Sequence, residues 1–97
     1  MNVFIWTETD DLIHKIITDW VLSEFYGTEY SKVSYEVWEK NIYIYTPYPG
    51  VLIGKEGKTV EKLKSALKEN GINKGIKFLY LSDDINRVTR LTNIEKE

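Results

Sequence analysis

The stretch Ile42–Lys68, IYIYTPYPGVLIGKEGKTVEKLKSALK, decides the reading of this chain. It opens with Ile42 and Ile44 alternating with Tyr43 and Tyr45, a period of two that predicts a strand. Pro47 and Pro49 end it, since neither can donate to a ladder. Val51–Ile53 is too short for an independent helix but can complete one turn after Pro49. Gly54-Lys55-Glu56-Gly57 follows. Glycine reaches backbone angles closed to other residues and lets another chain come close, so this spacing permits a tight loop. From Lys58 to Asn70 the pattern is helical, with Val60, Leu63, Ala66 and Leu67 on one face and Asn70-Gly71 as the stop.

The loop takes its chemistry from its place. It leads directly into a helix, whose first amides are unpaired and whose dipole end is positive. Such a junction is a ready anion site. Lys55 and Lys58 add point charges, and Val51, Leu52 and Ile53 supply an apolar strip beside them. A bare G-x-x-G is a weak signal, more often an ordinary turn than a ligand site. The spacings of the nucleoside-triphosphate loop and of the dinucleotide fingerprint are both absent.

Before this stretch, Val3–Trp6 reads as a short strand or an arm packed on the core. Thr9, Asp10 and Asp11 offer helix-start chemistry. Leu12, Ile13, Ile16, Ile17, Trp20, Val21 and Phe25 then recur at spacings of three and four, predicting a helix from about Asp10 to Phe25 that stops at Gly27. Val33, Tyr35 and Val37 alternate with polar residues and Trp38, and only Glu39-Lys40-Asn41 separates them from Ile42, so the two strands should form an antiparallel hairpin. After the stretch, Ile76–Leu81 predicts a third strand, and Asp83-Asp84 can cap a short helix bearing Ile85, Val88, Leu91 and Ile94. The order is α-β-β-α-α-β, an α+β fold with helices on one face of a three-stranded sheet.

Composition bounds the function. The 97 residues suit one domain, and 42% apolar content supports one modest core. There is no cysteine and a single histidine, His14, so thiolate metal sites and thiol nucleophiles are excluded and a zinc site has little to rest on. No apolar run approaches the roughly 20 residues of a membrane span, and the N-terminus lacks a basic region before its apolar stretch. The expectation is a soluble cytoplasmic protein with no membrane contact, cofactor or metal. The net charge of −2 argues against a polyanion partner, but its distribution does not: Gly54–Lys77 holds seven lysines against three acids, a local +4. That excess also fits a solvated helix face.

Ile42–Lys68 resembles the type II KH domain, most of all that of the ribosomal small-subunit protein three family. The resemblance rests on a strand ending at Thr46 and running into Pro49-Gly50, the apolar turn Val51-Leu52-Ile53, the loop Gly54–Gly57, and a helix opening Val60-Glu61-Lys62-Leu63. It extends from about Asp10 to Leu81, with residues 1–9 as an arm, 10–81 as the domain and 82–97 as a short helix and frayed tail. It implies a stand-alone groove for single-stranded RNA, or DNA, whose G-x-x-G loop grips about four nucleotides of backbone. Carried over by position, Gly54 and Gly57 give close approach, Lys55 and Glu56 are the exposed loop residues, Val51 and Ile53 are floor residues, and Lys58 and Lys62 are flanking phosphate contacts.

Two departures stand out. The ribosomal relatives are usually basic whereas this chain is slightly acidic, and Glu56 puts a negative charge where a positive one is common. The chain also ends soon after its third strand, so a second domain like that of the ribosomal protein is not expected, and a mobile-element or specialised factor is. The competing reading is a KH-fold interaction or structural domain with weak or lost nucleic-acid binding. A protein partner or homodimer would raise a modest affinity. An enzyme is the weakest reading, since no nucleophile, acid–base pair or metal cluster is visible. Trp38, Tyr43 and Tyr45 can stack bases, or simply pair across strands. His14 reads as a surface or core-edge residue, and Asp10-Asp11 and Asp83-Asp84 as helix-start acids rather than metal ligands.

Overall fold

A computed structural model describes residues 8–81. The arm over Val3–Trp6 and the helix carrying Ile85–Ile94 lie outside the described residues. The elements are α1 (Glu8–Phe25), β1 (Ser34–Val37), β2 (Asn41–Thr46), α2 (Pro49–Ile53), α3 (Lys58–Glu69) and β3 (Gly75–Tyr80). They form one α+β unit around a three-stranded mixed sheet of order β1-β2-β3.

α1 begins two residues earlier than the Asp10 start that its cap-like residues predict. Glu8, Asp10 and Asp11 all fall in its first turn, where negative charge meets the positive helix end, so these acids act through the dipole. Its apolar face is as expected: Ile13, Ile16, Ile17, Trp20, Val21 and Phe25 are all buried. Gly27, at φ +79°, follows the stop.

β1 and β2 pair antiparallel with Val37 opposite Ile42 and Tyr35 opposite Ile44. The Trp38 amide donates to the Asn41 carbonyl at 2.8 Å and closes the hairpin. β3 then lies parallel to β2, with Ile76 beside Ile42 and Phe78 beside Ile44. Parallel neighbours need a crossover connection, here α2, the glycine loop and α3. The face bearing Tyr35, Ile42 and Ile44 is buried with Leu52, Leu63 and Leu67 from that crossover and with the α1 face in one core. Ile76 and Phe78 pack against its edge and are only half-buried.

The opposite sheet face carries Glu36, Trp38, Tyr43 and Tyr45. Trp38 and Tyr43 meet edge to face, ring centres 6.3 Å apart. One oxygen of Glu36 accepts from the Tyr45 hydroxyl at 2.8 Å and from the Trp38 indole at 3.2 Å. These contacts make the aromatics a self-contained cross-strand cluster. His14 sits on the exposed side of α1 with its Nδ1 hydrogen-bonded to the hydroxyl of buried Tyr35, which gives it a packing role.

Burial, followed by the hydrogen bond to Glu36 and its negative charge, pushes the Tyr45 hydroxyl up to about 12 from 10.0. The folded state therefore holds this proton longer than the unfolded chain. The resulting stability is complete below about pH 10 and is lost as pH rises toward about 12. Urea unfolding at pH 9 and pH 11 should show Tyr45→Phe losing less stability over that interval than the native chain. Equal losses would mean that Tyr45 ionises alike in both states.

Candidate nucleic-acid interface

Thr46, buried at the end of β2, accepts a hydrogen bond from the Tyr48 amide at 3.0 Å and turns the chain out of the sheet. Pro49 starts α2, where its missing N–H costs nothing. Leu52 is fully buried and pins this short helix to the core. Val51 is left exposed and Ile53 half-exposed beside the loop.

The loop is built from positive backbone angles. Gly54 sits at φ 83°, ψ 168°, a region essentially closed to other residues. A Cβ there would also stand 2.8 Å from the Thr59 backbone nitrogen, so glycine is required twice over. Gly57 is left-handed at φ 74°, ψ 13°, but a Cβ on it would meet nothing within 4 Å. Glu56 is the surprise: it adopts φ 57°, ψ 26°, the only positive φ of a non-glycine residue among those described. Left-handed backbone costs a residue of this kind about 1–2 kcal/mol.

Three hydrogen bonds close the turn: the Gly54 amide to the Gly50 carbonyl at 2.9 Å, the Gly57 amide to the Gly54 carbonyl at 3.0 Å, and the Lys58 amide to the Lys55 carbonyl. The amides of Lys55 and Glu56, at the exposed tip, take no part in these bonds. Lys55, Glu56 and Lys58 are exposed, and α3 starts immediately behind them. The positive end of α3 and the lysine charges therefore sit together at the tip, with one carboxylate among them. Behind the loop, the Trp20 indole donates to the Thr59 carbonyl at 3.0 Å, fastening the first turn of α3 to α1.

The two faces of α3 differ. Lys62 lies on the α1 side, its ammonium 3.2 Å from Glu24. It is therefore separated from the other residues singled out in the sequence. On the β3 side, Lys64 and Lys68 face the start of β3 across a shallow hollow that also involves Ile76. Ile76 and Phe78 continue the apolar margin of the sheet. The sequence reading passed over all four. Lys64 and Lys68 were legible, since with Gly57 and Glu61 they form one stripe at helical spacing. Ile76 and Phe78 were not, because their place beside α3 depends on the parallel register.

A scan of protein families matches the KH-domain model to residues 16–77. The chain belongs to the KH-domain family. The matched span runs from within α1 into β3 and includes the whole glycine loop. KH domains are nucleic-acid-binding modules rather than enzymes, and this carries to the present domain in general terms. Searches of curated proteins and of solved structures each found no match. Among the described residues of the KH domain, no helix is long and apolar enough to cross a membrane.

The loop geometry ranks its substitutions. Gly57→Ala should cost about 1–2 kcal/mol from backbone strain alone, and Gly54→Ala more, because it adds a clash with the Thr59 backbone. Glu56→Asn should raise stability by about 0.5–1 kcal/mol, since asparagine tolerates left-handed backbone. Urea midpoints of the three variants measure this directly. Equal costs at the two glycines would contradict the close approach of Gly54 to Thr59.

Proposed function

We propose that this KH domain binds single-stranded nucleic acid, RNA foremost, by clamping the backbone at Gly54-Lys55-Glu56-Gly57. The supporting observation is the loop itself: three positive backbone angles expose a lysine-bearing tip at the start of α3, inside the matched KH span. Gly54 and Gly57 admit the phosphates closely. Lys55 supplies the central charge, and Lys58 flanks it. Val51 and Ile53 form the floor on which bases rest, with Ile76 and Phe78 as the opposite margin. Lys62 contributes only where a phosphate draws it from Glu24. The element order and the Thr46–Leu63 pattern favour the type II form, similar to that of the ribosomal small-subunit protein three family, acting as a stand-alone domain over about residues 10–81 in the cytoplasm.

Glu56 favours a second reading, in which the fold serves protein interaction and nucleic-acid affinity is weak. A carboxylate about 6 Å from a phosphate costs a few tenths to one kcal/mol in a solvated site. That weakens the clamp without cancelling Lys55, so the binding reading is preferred. A partner or a second copy would raise the affinity.

The double change Lys55→Asp plus Glu56→Asp should leave the fold intact and abolish binding to short single strands, as read by fluorescence anisotropy on random RNA and DNA oligonucleotides. Equal affinity of the variant and the native chain would sink the clamp. Absence of binding by the native chain at low salt would favour the interaction reading. With two to four phosphates neutralised, the log–log salt slope should be about −1.5 to −3, and a slope near about −7 would require a far larger basic surface.

A further inference from the structure

Glu56 puts a hydrogen-bond acceptor where the glycine loop otherwise presents donors. Its left-handed backbone, at φ 57°, ψ 26°, lies inside the turn closed by the Gly57 amide on the Gly54 carbonyl at 3.0 Å and by the Lys58 amide on the Lys55 carbonyl. The residue is exposed, and among the described residues its carboxylate receives no hydrogen bond and no ion pair. Lys55 and Lys58 flank it in the chain, yet neither is paired with it. Closure of the turn fixes the Cα–Cβ bond of Glu56 relative to the tip amides. The acid therefore stays within one side-chain length of any phosphate held there.

The chemistry of the backbone then decides what this acid can meet. A carboxylate accepts hydrogen bonds and donates none. The sugar–phosphate backbone of DNA offers it no partner, because the phosphate, ester and ring oxygens are all acceptors. RNA adds a donor to every nucleotide, the 2′-hydroxyl, on the carbon next to the one that bears the 3′-phosphate. A loop that grips backbone rather than bases therefore meets a donor at Glu56 only when the strand is RNA. A hydroxyl donating to a carboxylate forms a charge-assisted bond, stronger than one between neutral groups. With DNA the same carboxylate stands beside a phosphate with nothing to accept, and the two like charges repel.

We propose that Glu56 is the residue by which this loop tells RNA from DNA. Its carboxylate accepts from a ribose 2′-hydroxyl beside a clamped phosphate, and repels that phosphate where the hydroxyl is missing. The inference rests on the clamp reading of the loop and adds a source of selectivity to it. The charge that weakens the clamp for a bare phosphate backbone is offset by the hydrogen bond that a ribose brings.

The test titrates the full chain at low salt, by fluorescence anisotropy, with matched short strands of uridine, deoxyuridine and 2′-O-methyluridine. The base is the same in all three, so any difference belongs to the sugar. The native chain should bind the uridine strand about tenfold more tightly than the deoxyuridine strand. The 2′-O-methyl strand keeps the ribose oxygen but not its proton, and should bind no better than the deoxy strand. Glu56→Gly, which suits the left-handed backbone, should bind deoxyuridine more tightly than the native chain does and bring the two affinities close to parity. Glu56→Gln should fall between, since a neutral amide oxygen still accepts but more weakly. The ratio is read because a change in loop flexibility alters both affinities alike.

An unchanged ratio in Glu56→Gly, with binding still abolished by Lys55→Asp plus Glu56→Asp, would overturn this role of Glu56 and leave the clamp standing. Equal binding of uridine and deoxyuridine by the native chain would do the same. Binding of the 2′-O-methyl strand as tightly as uridine would assign the preference to sugar shape and overturn it too. So would a Glu56-dependent preference seen with cytidine strands and not with uridine, which would put the carboxylate against a base amino group. Normal binding by the double loop variant, with the ratio still collapsing in Glu56→Gly, would remove the clamp at Lys55 and leave Glu56 as the sugar contact. No binding of any strand by the native chain would overturn both.

Discussion

Parallel pairing of β2 with β3 is the constraint on which the rest of this domain depends. Two parallel strands cannot be joined by a tight turn, so the chain must leave the sheet at Thr46, cross its buried face and return at Gly75. The crossover holds α2, the glycine loop and α3. Leu52 and Leu63, both fully buried, anchor it over Ile42 and Ile44, which are also fully buried. The loop between those two anchors is therefore held from both sides and presented at the surface. The same geometry leaves β3 at the edge of the sheet, where Ile76 and Phe78 are only half covered.

Fastening the loop has a conformational cost, met with unusual backbone rather than with side chains. Gly54 occupies a conformation and a space that only glycine fits, against the backbone of Thr59. Thr59 is in turn tied to α1 through Trp20. Glu56 carries strain that a glycine or asparagine would avoid, and it brings a negative charge to the tip. Stability and phosphate affinity both disfavour glutamate there.

Charge is sorted by face more than by segment. The seven lysines of Gly54–Lys77 look like one basic block in sequence. In space Lys62 is matched to Glu24 of α1, and Lys74 is engaged by the carbonyls of the hairpin turn. What is left is divided between the loop tip and the far end of α3. A net charge of −2 is therefore compatible with two local cationic surfaces.

Much of this was open to reading in the sequence, because it rests on local rules. Alternation at Ile42–Tyr45, the three-and-four spacing in α1 and α3, Pro49 at a helix start and the glycine pair all report on neighbours within a few residues. The loop and its flanking apolar turn were legible for that reason, as was the KH family itself. Tertiary structure alone decided the rest. The parallel register put Ile76 beside Ile42 and Phe78 beside Ile44, at the half-covered edge of the sheet. Packing of α3 on α1 brought Lys62 to Glu24, a residue 38 positions earlier in the chain. Closure of the turn forced Glu56, a residue with no local preference for it, into left-handed backbone. Each of these depends on which element packs against which, and contacts between residues distant in the chain leave no period in the sequence to read.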